Sequence, residues 1–252
     1  MSSELFTVYC LLFTVHRSLN FKEKIMQTLS FINRQRTLGI VVLVALALSL
    51  AWLASAPAPG RAAPMPSVSA GYRHTCELKA DSTLACWGDN TYGQTSVPSP
   101  NTNWTQVSAG YWHTCGLKED GTLQCWGSNG YGQSTVPSPN TNWTQVSAGW
   151  YNTCGLKEDG TLQCWGSNGF GESTVPSPNT NWVQVNVRYH HTCGLKADGT
   201  LQCWGSNGFG ESTVPSPNVN WTQVAAGGSP TCGLKSDGTL QCWGSNGSGQ
   251  TA

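Results

Sequence analysis

The chain has 252 residues with thirteen Lys/Arg balanced by thirteen Asp/Glu, 29 glycines, twelve tryptophans and eleven cysteines. Six of the basic residues precede residue 64, so residues 64–252 hold seven basic against eleven acidic side chains, a net charge of −4. A nucleic-acid binder of this size should show a basic face, and none is present, so nucleic acid is excluded as a partner.

The first segment in chain order is unlike the rest. Residues 38–54, LGIVVLVALALSLAWLA, carry no charge, follow Arg34 and Arg36, and precede the small-residue and proline run SAPAPGRAAP. That order of basic, apolar and small residues is a secretory signal; at its length it is equally a membrane anchor, since a spanning helix needs ~20 residues. Either form puts the rest of the chain outside the cytoplasm, with the membrane touched only through an uncleaved leader. A second methionine, Met26, is the expected true start. We therefore expect a leader over 1–63, with a hydrophobic helix, and one domain over 64–252.

From Val68 the sequence copies itself. Val68, Val107, Val146, Val185 and Val224 recur every 39 residues, and the second and third units differ at six positions. A fixed period of this length marks a propeller or solenoid array. Within each unit the first predicted strand is VSAG, and a variable triplet separates it from a second strand, TCGLK. A third strand, LQCWG, follows the turn Glu119-Asp120-Gly121, with glycine at the left-handed position of a three-residue hairpin loop.

That loop sets Lys118 opposite Thr122, Leu117 opposite Leu123 and Cys115 opposite Cys125. Alternation then sends the leucines and cysteines to one face. The pairs Cys76/Cys86, Cys115/Cys125, Cys154/Cys164, Cys193/Cys203 and Cys232/Cys242 are thus placed for a disulfide inside each hairpin. Each closes a short loop and contributes about 2–3 kcal/mol in the loop-entropy picture, in an oxidising compartment. A metal site is disfavoured: nine residues separate the paired cysteines, where zinc prefers two to four. His74, His113 and His191 also lose their counterparts to Asn152 and Pro230 in the other units. No metal and no cofactor are expected.

The opposite face of the hairpin carries Trp87, Trp126, Trp165, Trp204 and Trp243, which we read as packing on the Cys/Leu face of a neighbouring unit. SNGYG and its relatives supply turn residues. TVPSP suits a short edge segment where proline is tolerated. Trp104, Trp143, Trp182 and Trp221 anchor the connection to the next unit.

The segment HTCGLKEDGTLQCWGSNGYGQ resembles the repeat of the regulator of chromosome condensation superfamily, in its secreted bacterial form with a cysteine pair. The short period and the GQSTVP ending are similar to the bacterial β-lactamase-inhibitor propellers of that superfamily. The resemblance covers residues 68–252 and implies an all-β β-propeller whose loops present a protein-binding face. Those propellers usually have seven blades; here there are five units, the last without STVPSPNTNW, so a closed, an incomplete and an open ring are all compatible with the sequence.

The triplets are Tyr72-Arg73-His74, Tyr111-Trp112-His113, Trp150-Tyr151-Asn152, Tyr189-His190-His191 and Gly228-Ser229-Pro230. Half the differences between the second and third units fall here. Drift at a tolerant turn does not account for the bias to Tyr, Trp and Arg, the types enriched at binding hot spots. The first four triplets are therefore the expected binding residues, on one rim. No nucleophile elbow, phosphate loop or carboxylate pair is present, so no enzyme is expected. The function expected is a non-catalytic, extracytoplasmic interaction propeller with an extracellular or cell-surface protein partner. The alternative is a secreted multivalent lectin holding carbohydrate between blades, which would require its lining to be kept in every copy.

Overall fold

The computed structural model describes residues 65–252. The leader expected over 1–63, its apolar run 38–54 and Met26 lie outside them. The described residues form fifteen strands in five three-stranded antiparallel sheets. The first sheet comprises β1 (Ser67–Ala70), β2 (His74–Leu78) and β3 (Leu84–Gly88), and the second β4 (Trp104–Ala109), β5 (His113–Lys118) and β6 (Leu123–Gly127). The third has β7 (Trp143–Ala148), β8 (Asn152–Lys157) and β9 (Leu162–Gly166). The fourth has β10 (Trp182–Arg188), β11 (His191–Lys196) and β12 (Leu201–Gly205), and the fifth β13 (Trp221–Ala226), β14 (Pro230–Lys235) and β15 (Leu240–Gly244). Each sheet is one blade of a β-propeller, and the first strands β1, β4, β7, β10 and β13 contact one another in succession.

The predicted hairpin register is observed. Cys115 pairs with Cys125 and Leu117 with Leu123. Lys118 N–H donates to Thr122 O, and Gly121 takes φ +75°. A disulfide closes each of the five hairpins: Cys76–Cys86, Cys115–Cys125, Cys154–Cys164, Cys193–Cys203 and Cys232–Cys242, with Cα–Cα distances of 4.0–4.1 Å. That spacing belongs to directly opposed residues of a non-hydrogen-bonded pair. The two halves of a bridge are not equally enclosed. Cys76, Cys115, Cys154 and Cys193 on the middle strands are fully buried, whereas Cys86, Cys125, Cys164 and Cys203 on the outer strands are half-buried and pack at the margin of the core. In the fifth blade, whose Cys/Leu face no other blade covers among the described residues, both Cys232 and Cys242 are half-buried.

Side-chain alternation explains how the blades join. The Cys/Leu face of the first blade (Cys76, Leu78, Leu84) packs on Trp104, Val107 and Trp126 of the second, and the same cluster recurs at the next three junctions. Trp126 behaves as expected. Trp104 is more than an anchor, being fully buried against Trp126 at a ring separation of 5.9 Å. It also forces its own blade to carry glycine, since a Cβ on Gly116 would lie 2.4 Å from its ring.

Polar bonds reinforce these junctions. Gln106 donates from Nε2 to Val146 O and accepts from Val146 N–H at Oε1, a clasp repeated at Gln145/Val185 and Gln184/Val224. The buried carbonyl of Gln94 accepts from Thr114 Oγ1 and from Trp126 Nε1, so two donors of the second blade meet one acceptor of the preceding connection. Pairing such groups removes the cost of burying them.

The TVPSP segment differs from expectation, since no strand forms there. Proline has no N–H for a ladder. The edge of the third strand is met instead by an asparagine side chain: Asn101 Oδ1 accepts from Leu84 N–H and Asn101 Nδ2 donates to Leu84 O. The same amide bridge recurs at Asn140, Asn179 and Asn218.

The faces at the two ends of the array are open. Trp87 is 51% exposed where its equivalents are 8–9% exposed, and Leu240 is 65% exposed where its equivalents are buried. Among the described residues no fifth cluster joins the last blade to the first.

Candidate functional site

Each triplet lies where the first strand of a blade turns into the second. The ladder ends at Ala109 opposite Thr114, and Gly110 N–H donates to His113 O. The glycine is a packing requirement. A Cβ on Gly110 would stand 2.5 Å from the carbonyl oxygen of Gly149 in the next blade, so only glycine lets successive loops overlap. Tyr111 N–H donates to that same oxygen at 3.0 Å. In the fourth blade Arg188 takes the glycine's place, β10 runs on to pair Arg188 with His191, and Tyr189 adopts φ +41° at the start of the tight turn.

The three positions of the triplet have three different fates. The first members form a chain of rings around one mouth of the propeller. Tyr72 stacks on Tyr111 at 4.0 Å, Tyr111 meets Trp150 at 5.2 Å, and Trp150 stacks on Tyr189 at 4.1 Å. These rings, with Arg188, Gly110, Gly149 and Gly228, line a concave space of about 390 Å³. Hydrogen bonding with Tyr72 pushes the Tyr111 phenol up to about 12.

The second members lie outside that chain and touch it. Trp112 is 4.7 Å from Tyr111 and 5.8 Å from Tyr151, and Trp150 lies 4.8 Å from Tyr151 and 4.6 Å from His190. Arg73 sits 5.2 Å from the Tyr72 ring centroid. The structure thus brings Tyr72, Arg73, Tyr111, Trp112, Trp150, Tyr151, Tyr189 and His190 to one surface.

The third members are elsewhere, which corrects the expectation that whole triplets face outward. His74, His113, Asn152 and His191 are at most 3% exposed. Each opens the second strand of its blade, two residues before a cysteine, so alternation turns it to the Cys/Leu face and into the junction. His113 Nε2 is 2.9 Å from Thr153 Oγ1, and that hydroxyl donates its proton to Gln133 O. The hydroxyl therefore accepts, the imidazole carries its proton on Nε2, and Nδ1 is left buried without a partner. Burial first, then the nearby His74, pulls the His113 pKa down to about 3. Burial likewise lowers His191 to about 4, against the opposing pull of Glu211, and lowers His74. These are neutral structural histidines. Asn152, too short to repeat the contact, leaves both side-chain polar atoms unpaired.

Four surface residues escaped sequence reasoning. Tyr92, Tyr131, Phe170 and Phe209, from the SNGYG-type turns, are 50–66% exposed. Tyr92 reaches Trp112 at 5.3 Å, Tyr131 reaches Tyr151 at 4.8 Å and Phe170 reaches His190 at 4.5 Å. Phe209 faces a unit whose triplet offers Ser229 in that position, and it is the most exposed of the four. The signal was an aromatic at a fixed place in a turn built otherwise from glycine, serine and asparagine. Among the described residues no three His, Cys, Asp or Glu side chains group as a metal site.

The fold has known counterparts. The propeller resembles the ectodomain of the receptor kinase CR4 from Physcomitrella patens, with 27% identity and a TM-score of 0.63 over 76% of this chain and 55% of that one. It also resembles the CRINKLY ectodomain of the Arabidopsis thaliana receptor kinase ACR4, with 26% identity, a TM-score of 0.57 and coverage of 70% and 67%. For Prp20p of Saccharomyces cerevisiae the identity is 19%, the TM-score 0.61 and the coverage 71% and 57%. The chain thus spans little more than half the length of the CR4 ectodomain and of the Prp20p structure. No curated protein matches the sequence. Residues 67–94, 104–133, 143–172, 182–211 and 221–250 each match the regulator of chromosome condensation (RCC1) repeat, one match per blade, and the chain belongs to that family.

Proposed function

We propose that the protein is a non-catalytic, extracytoplasmic interaction module that docks a protein partner on its aromatic mouth. The observation that carries this reading is the continuity of the surface. Four units each supply an aromatic first member (Tyr72, Tyr111, Trp150, Tyr189) and a second member that differs from blade to blade (Arg73, Trp112, Tyr151, His190), and these converge into one continuous surface. A single footprint on one partner needs a different residue from each blade. Rigid amphipathic rings lose little entropy on contact and supply the energy at hot spots.

The location rests on chemistry and likeness together. Five disulfides suit an oxidising compartment, and the receptor-kinase relatives are ectodomains. The basic–apolar–small leader of residues 1–63 agrees with export,.

Against the lectin alternative, the repeated tryptophans are taken up by the blade junctions in every copy but Trp87, which stands alone at an open face and so makes no set of equivalent sites. Trp104 is 0% and Trp126 9% exposed, leaving neither face free for a sugar. The test pairs rim truncations, Trp112→Ala and Tyr151→Ala, with capture of partners from an extracellular fraction, beside a glycan array. The rim variants should keep wild-type melting and lose capture by tenfold or more, about 1.4 kcal/mol or above. Undiminished capture, or loss of folding on rim truncation, would remove the aromatic surface from the function.

A further inference from the structure

The row of first members carries an aromatic ring in four of the five described units and none in the fifth. Tyr72, Tyr111, Trp150 and Tyr189 follow one another in contact, and the fifth unit places Gly228 where its predecessors place a ring. The glycine is not there for want of room. A Cβ on Gly228 would meet no atom within 4 Å, whereas Gly71, Gly110 and Gly149 in the preceding position are hemmed in by neighbouring loops. Gly228 lines the concave space at the mouth together with Tyr72, Tyr189 and Arg188.

Exposure shows the same gap. The two ends of the chain of rings, Tyr72 and Tyr189, are 51% and 40% exposed, while the inner members Tyr111 and Trp150 are half-buried between neighbours. Each terminal ring has a first-position partner on one side only. Arg188 also lines the space, and its guanidinium reaches Ala70 O of the first blade at 3.4 Å. No carboxylate lines the space, and Trp150 Nε1 is buried there without a hydrogen-bond acceptor.

Resting on the reading of the mouth as a protein-docking surface, we propose that Gly228 is an open slot for an aromatic side chain of the partner, which completes the stack as its fifth ring. The ring seats over Gly228 and packs on the end of the stack. Offset or tilted contacts at 4–6 Å are the favoured aromatic geometry, and the intramolecular neighbours already use it. Arg188 favours a tyrosine hydroxyl or an acidic neighbour in the partner segment, which a charge-assisted bond would hold.

The partner need not be identified for the test. A random peptide library displayed on phage is selected on the full disulfide-bonded protein, and the enriched peptides are remade and titrated. They should carry an aromatic residue whose replacement by alanine weakens binding at least tenfold. Gly228→Trp, which fills the slot from within, should weaken the same peptides at least tenfold with unchanged melting. Glu119→Trp, in an exposed hairpin loop outside the mouth, should leave them unaffected. Peptides indifferent to Gly228→Trp but lost on Trp112→Ala would overturn the slot and leave the docking surface standing. Absence of enriched peptides, or binding of glycans in their place, would overturn both.

Discussion

Trp87 and Trp126 occupy the same place in the repeat, opposite Thr75 and Thr114 in the two hairpins, and differ in that among the described residues only Trp126 has the Cys/Leu face of another blade to pack on. Trp126 is 9% exposed against Cys76, Leu78 and Leu84, and its Nε1 donates to Gln94 O at 2.9 Å. Trp87 is 51% exposed. The difference of 42 percentage points, on a side chain of ~250 Å², is about 100 Å² and is worth about 2.5 kcal/mol at ~25 cal/mol/Å². The lost hydrogen bond adds about 1 kcal/mol. Trp126→Ala should therefore cost about 3–5 kcal/mol, the range for a large aromatic removed from a core, and Trp87→Ala about 1 kcal/mol. In a domain of this size that separates the two melting temperatures by about 6–12 °C. Denaturant titration followed by far-ultraviolet circular dichroism supplies the comparison, with disulfides intact in both variants. Repeat arrays can lose cooperativity, so the midpoints should be confirmed by a second probe. Equal losses in the two variants would refute the Cys/Leu–Trp junction as the source of stability.

Two further outcomes follow from the buried third members. His113 refuses in the folded state a proton that it accepts near pH 6.5 when unfolded, so its contribution is complete above pH 6.5 and is lost as pH falls toward about 3,. The unfolding free energy from denaturant titration should fall between pH 6.5 and 4.5 by up to about 1.4 kcal/mol per pH unit for this residue, and His113→Asn should flatten the slope; an unchanged slope would contradict the neutral, buried imidazole. Asn152→His should place an Nε2–H on Thr192 as His113 does on Thr153, raising stability at pH 7.5 by about 1 kcal/mol, and a loss measured by the same titration would show that Val187, packed over Gly149 in that loop, excludes the ring.

The repeat itself determined a great deal. A period of 39 residues announced a repeat array, the resemblance of the repeat implied a propeller, and the short turn fixed the hairpin register from which the five Cys–Cys pairings and the Leu/Cys face follow. These are local consequences of chain geometry, since alternation along a strand is independent of its neighbours. His113 was legible by the same rule, because two residues before Cys115 on one strand is the same face; counting it into the turn hid this. Asn101, whose side-chain amide bridges to the Leu84 backbone, left no comparable trace, because its partner lies 17 residues away across a connection without regular structure.

Only the tertiary structure decided which side chains share a surface. Along the chain Tyr72, Tyr111, Trp150 and Tyr189 are separate loop residues 39 apart, and their contact depends on how closely blades approach at the axis. That approach is set by glycine at 71 and 110, which lets one loop lie on the carbonyl of the next, and by Gly149, which makes room for Val187 of the following blade. It likewise recruited Tyr92, Tyr131 and Phe170, whose turns read as connections along the chain but lie beside the following unit's triplet in space. The exposure of Trp87 was invisible for the same reason: its letter and context match Trp126, and burial is conferred by the blade against which a residue packs.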